Sequence, residues 1–149
     1  MNCPTSPKCV AKLLLRVSFG AALLLVGVAH FQDLEGFKGM VSGGLGPLAP
    51  LGTLWAYIYP LLMIVGGGLI VAGKKSDIAA WCAGIALASI PIGMLLKTVI
   101  GGVPLGEMMV AVHNAFLWLL VYVLVVKFCM CCDKCEPGTG GGGMSGGGM

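Results

Sequence analysis

Apolar residues run almost unbroken through four stretches, residues 13–31, 54–73, 78–96 and 108–128, and polar residues collect in the intervals between them. Each stretch approaches the ~20 residues that an α-helix needs to cross ~30 Å of hydrocarbon. Lipid offers no partner to a peptide N–H or C=O, so a helix, which bonds its own, is the conformation open to such a run. The pattern predicts an all-α integral membrane four-helix bundle over residues 13–128. A short segment 1–12 precedes it and a tail 129–149 follows.

The intervals are patterned as well. Residues 32–53 form the one long connection, in which Phe31, Phe37, Met40 and Val41 predict a short amphipathic segment lying in the interface. Ser42-Gly43-Gly44-Leu45-Gly46-Pro47 predicts irregular backbone, and Trp55, Tyr57 and Tyr59 are rings suited to the headgroup zone. Pro60 is compatible with a first turn or a kink, and Pro91 predicts a kink in the third helix. Ala80, Gly84 and Ala88, with Ser18 and Ala22 in the first helix, form small-residue stripes that permit close helix approach.

Composition agrees with a membrane protein: 58% of the 149 residues are hydrophobic and 10% charged, well below the charged fraction of a soluble domain. No phosphate loop, Ser/His/Asp arrangement or nucleic-acid patch is present. Lys8, Lys12, Arg16, Lys74, Lys75, Lys127 and Lys134 fall on one side of the bundle, against Lys38 and Lys97 on the other. The positive-inside rule then predicts cytoplasmic N- and C-termini. A cleaved signal peptide, with Lys8 and Lys12 before the apolar run and Gly27-Val28-Ala29 as its cleavage site, is the competing reading of the N-terminus. The first run is long for that role and three more spans follow, so it is expected to be retained.

Six of seven cysteines lie near the predicted cytoplasmic ends: Cys3 and Cys9 before the first helix, Cys129, Cys131, Cys132 and Cys135 after the fourth. Disulfides are not expected in a reducing compartment. The overlapping C-x-x-C pairs Cys129/Cys132 and Cys132/Cys135 suit soft-metal ligation: zinc, copper or an iron–sulfur cluster. One helix cannot wrap an ion with four thiolates, so the chain must turn back after Asp133 or Cys3 and Cys9 must complete the shell. Acylation, thiol redox chemistry and free small side chains with no further role are the alternatives. The Gly-rich tail from Pro137, with Met144 and Met149, cannot build a core.

The other side carries His30, Glu107, His113 and Asn114. Ionisable groups inside a span are costly and therefore candidate sites. These four are expected to form a polar pocket able to hold a quinone headgroup, relay a proton or ligate a metal. Their alternative is interfacial histidine and interhelical hydrogen bonding.

Several of these features together resemble the DoxX-like family of small bacterial four-helix membrane proteins. They are Leu15-Arg16 at the start of helix one, the Gly-Val-Ala-His run ending at His30, and Gly36-Phe37 followed by Gly46-Pro47. Gly-Gly-Gly-Leu-Ile-Val-Ala-Gly at 66–73, followed by a basic turn, completes the pattern. Where the family often carries an acidic residue in helix two, this chain has Leu62 and Met63. The resemblance implies an accessory subunit of a redox or metal-linked system in the bacterial inner membrane, partnered by other membrane or redox subunits or by its own copies. The alternative is a non-catalytic assembly protein with acylated juxtamembrane cysteines.

Overall fold

The computed structural model describes residues 7–130. The chain forms α1 (Pro7–Gln32), α2 (Leu34–Ser42), a 3-10 turn (Gly46–Leu48), α3 (Ala49–Ala72), α4 (Ser76–Gly101) and α5 (Leu105–Val125), which ends in a π-helical turn, Val126–Met130. There are no strands among the described residues. Four helical segments are long and apolar enough to cross a bilayer: Val10–Gln32, Gly46–Ala72, Asp77–Gly101 and Leu105–Cys129. The architecture is an all-α membrane bundle of four long helices with one short helix laid across it.

Each boundary has a local cause. Asp33 separates α1 from α2, and its carboxylate accepts the Gly36 N–H at 3.3 Å, an N-cap. Helix α3 ends where Gly73 takes a left-handed conformation (φ 65°). There the Gly73 N–H donates to Ile70 O and the Lys74 N–H to Leu69 O, the paired bonds of a Schellman motif. Gly102 (φ 64°) ends α4 in the same region of backbone space. Pro60 and Pro91 lie inside α3 and α4. Each removes an N–H that would have bonded four residues back, at Ala56 and Leu87.

Helix α3 is the hub: α1, α2 and α4 all pack on it, and α5 packs on α4. The α1–α3 crossing is backbone against backbone. A methyl group on Gly67 would lie 2.5 Å from the Gly20 carbonyl oxygen, and one on Gly27 would lie 2.9 Å from Pro60 O. On the other side of α3, a methyl on Gly66 would lie 2.9 Å from the Ala83 nitrogen. Between lipid-embedded helices the hydrophobic effect gives no attraction, so such close van der Waals contact is what holds them. Leu23, Ile70, Leu87 and Val125 are fully buried in the core.

The small-residue stripes divide between faces. Ala79, Ala83 and Ala86 of α4 are buried in the core, whereas Ala80 and Gly84 meet Tyr122 of α5, whose hydroxyl donates to Ala80 O at 2.9 Å. On α1 the contact glycines are Gly20 and Gly27, while Ser18 is exposed and bonds its own helix at Leu15 O. Arg16 points its guanidinium at the left-handed Gly73, where a methyl group would lie 2.8 Å from a guanidinium nitrogen. A cation there complements the negative end of the α3 dipole.

The α1–α3 contact generates a paired prediction. Gly67→Leu has no space to enter and is expected to lower unfolding free energy by about 1–3 kcal/mol. Gly68→Ala, whose methyl would meet only Leu24 Cδ1 at 3.8 Å, is expected to be neutral or slightly stabilising. Reversible unfolding in detergent measures both.

Candidate functional site

The three bulky rings of His30, Phe37 and Tyr59 fix the geometry around α2. His30 at the end of α1 meets Phe37 of α2 edge-on at 4.1 Å between centroids. Tyr59 of α3 lies 5.6 Å from His30 and 5.5 Å from Phe37. Phe37 is the apolar anchor of α2 and is buried. The opposite face of α2 is polar: Glu35 pairs with Lys38 at 2.8 Å, and this carboxylate holds the Lys38 ammonium above the usual lysine range. The phenylalanine of the amphipathic pattern thus docks α2 onto α3, with the ion pair left in solvent.

Beneath α2 the bundle opens into a cavity of about 730 Å³, between α2, α3, α4 and α5. Its wall is mostly apolar, with Trp55, Ile90, Ala115 and Trp118 among its residues. The indole N–H of Trp55 donates to Ser89 Oγ at 3.2 Å, and the Ser89 hydroxyl donates to Ala86 O at 2.7 Å. Both polar atoms are thereby committed to the scaffold. Trp118 stacks at a tilt against Phe19 of α1, with centroids 5.9 Å apart.

The remaining polar groups on the wall are His30, Tyr59, Lys97 and Asn114. His30 Nδ1 lies 2.6 Å from Val26 O. A carbonyl only accepts, so Nδ1 carries the hydrogen and Nε2 is the acceptor of the neutral ring. Lys97 is 8% exposed and is the one buried charged residue among those described. Its Nζ donates to the carbonyl of Met40, near the C-terminus of α2, so α4 holds α2 down from below. An adjoining contact reinforces this seam, because the end of α4 at Gly101 touches the backbone of Gly44. The site therefore offers an ammonium, an amide, a phenol and an imidazole acceptor around an aromatic-lined space, of the size of small-molecule pockets.

No family model, curated protein or solved structure matches the chain.

Of the four residues expected in a polar pocket, His30 and Asn114 line this cavity. Glu107 and His113 are exposed and lie outside its wall. Adjacent helical residues point about 100° apart, so Asn114, itself also exposed, reaches the wall while His113 does not. Lys97, Trp55 and Trp118 line the site without having been among the four residues expected to form it. The available signals were a lysine just past the apolar run 78–96 and the spacing that puts Ala111, Asn114 and Trp118 on one stripe of a helix.

At the other end of the bundle the Cys129 thiol donates to the Lys12 carbonyl at 3.4 Å, joining the end of α5 to the start of α1. Cys9 lies in the first turn of α1. Among the described residues no three His, Cys, Asp or Glu side chains gather as a metal site. Cys3, Cys131, Cys132 and Cys135 lie outside the described residues.

Phe37→Ala is expected to weaken α2 docking by about 3 kcal/mol. Hydrogen exchange would read this as faster exchange of the α2 amides, on the order of a hundredfold, with the amides of α3 and α4 unchanged.

Proposed function

We propose that the chain is a DoxX-like accessory subunit of a membrane redox system, and that its cavity holds the headgroup of a lipophilic quinone drawn sideways from the bilayer. The cavity beneath α2 carries this reading, because its shape and chemistry match such a ring. Trp55 and Trp118 offer flat apolar faces, Lys97 and Asn114 offer hydrogen-bond donors for a quinone carbonyl, and His30 offers an acceptor for a quinol hydroxyl. The isoprenoid tail would leave through the open side of the cavity into lipid. The chain's residues bind and orient; electrons would come from a partner subunit.

In this reading both termini face the cytoplasm of a bacterial inner membrane, and the cavity opens in the outer leaflet. Seven basic residues at the terminal end support that orientation. A second element is a thiolate site for zinc, copper or an iron–sulfur cluster on the cytoplasmic side. The Cys129–Lys12 contact supports it, since Cys9 sits one turn before Lys12. The alternative, an assembly protein using its small-residue stripes to oligomerise, finds less support, because Gly67 and Gly84 are already occupied inside the bundle.

Two measurements test these elements. Titrating a short-tailed benzoquinone into the detergent-solubilised protein is expected to quench tryptophan fluorescence saturably. Asn114→Ala should weaken binding by about tenfold, whereas His113→Ala should leave it unchanged; equal loss in both variants would overturn the cavity assignment. Elemental analysis of anaerobically purified protein is expected to find about one metal or cluster equivalent per chain. A variant lacking residues 129–149 should hold none, and a metal-free full chain with titratable thiols would retire the thiolate site.

A further inference from the structure

We infer that the cavity selects an amphiphile whose head is an oxyanion, and that Lys97 is the residue that recognises its charge. This rests on the reading of the cavity as a ligand site and specifies the head of the ligand.

The argument starts from the electrostatics of the wall. Among the described residues Lys97 is the only one with a full charge on it, and no aspartate or glutamate lines the cavity. The one ion pair among the described residues, Glu35–Lys38, is on the exposed face of α2. Lys97 Nζ has a neutral partner, the Met40 carbonyl, which occupies one of the three hydrogens of an ammonium. That carbonyl, near the C-terminus of α2, contributes a partial negative charge and leaves the unit charge uncompensated.

Buried charges in proteins are paired, since removing a lone ion from water is far more costly than removing a matched pair. Within this cavity no carboxylate supplies a counter-charge, and a ligand with an oxyanion head would. The remainder of the wall specifies the rest of the molecule. Phe37, Trp55, Ile90 and Trp118 would surround an apolar body. A singly charged oxygen head on an apolar body fits both requirements. Two kinds of molecule share that chemistry: a ring-hydroxylated quinone ionised at neutral pH, and a single-chain fatty acid.

Two matched pairs of probes separate head charge from shape. The full-length protein in phosphatidylcholine nanodiscs is titrated with a hydroxynaphthoquinone and with its methyl ether, then with palmitate and with palmityl alcohol. The ionised member of at least one pair is expected to bind about tenfold tighter than its uncharged twin. Whichever pair shows the difference identifies the source of the ligand. The preference should survive in Lys97→Arg and fall to within about twofold in Lys97→Met.

Equal binding of charged and uncharged twins by the wild type would overturn the oxyanion head while leaving the quinone pocket standing. Failure of all four probes and of the short-tailed benzoquinone would overturn both. A preference that persists in Lys97→Met would overturn the assignment to Lys97. The wild-type comparison needs no variant to fold, so the head-charge inference is decided even if Lys97→Met is lost.

Discussion

Everything in this bundle hangs on how closely α3 can be approached. In lipid, two helices gain nothing by hiding apolar surface from each other, because the surrounding chains are as apolar as they are. Association then depends on contact at van der Waals distance, and glycine permits the closest contact. Gly20 and Gly27 bring α1 onto α3 from one side, and Gly66 brings α4 onto it from the other. Gly27 meets Pro60 close to His30 and Tyr59, whereas the Gly20–Gly67 and Gly66–Ala83 contacts lie towards the end of the bundle that carries Arg16, Gly73 and Cys129. Tyr122 tightens α5 onto α4 in the same half, by filling the notch over Gly84.

The opposite half mixes large and small residues around the cavity. Trp55 and Tyr59 on α3, Met94 and Lys97 on α4, and Trp118 on α5 share its wall with Gly52, Gly93, Ala111 and Ala115. Helix α2 roofs it, secured at one end by the His30–Phe37–Tyr59 cluster and at the other by Lys97 and by the Gly44–Gly101 contact. The polar atoms on the wall fall into two groups. Trp55 and Ser89 are satisfied within the scaffold, whereas Lys97 keeps hydrogens beyond the one given to Met40.

The four long helices were legible in the sequence because length and apolarity suffice to define a membrane-spanning run. So was an amphipathic segment around Phe37, where α2 forms. The cavity was not legible, because it depends on the rotation of each helix about its axis, and apolar all-round helices carry almost no periodic signal to set that rotation. His113 and Asn114 illustrate this: adjacent in sequence and equally polar, they take opposite relations to the cavity. Lys97 reads in sequence as a boundary lysine, and only the tertiary placement of α2 over it turns it into a buried cation. The stripe Ala80–Gly84–Ala88 was visible as a packing surface, but which neighbour it would meet was not.

Position along α1 also sets the depth of the roofed space. The membrane-length segment of this helix is Val10–Gln32, so His30 lies close to its end. At 1.5 Å per residue the rise from Val10 to His30 is about 30 Å, the thickness of a hydrocarbon core. The space beside His30 therefore belongs to the zone where acyl chains give way to headgroups. An amphiphile held there would keep its head at that boundary and its body in lipid. Its effective concentration would be a mole fraction among lipids, indifferent to the volume of water around the vesicle.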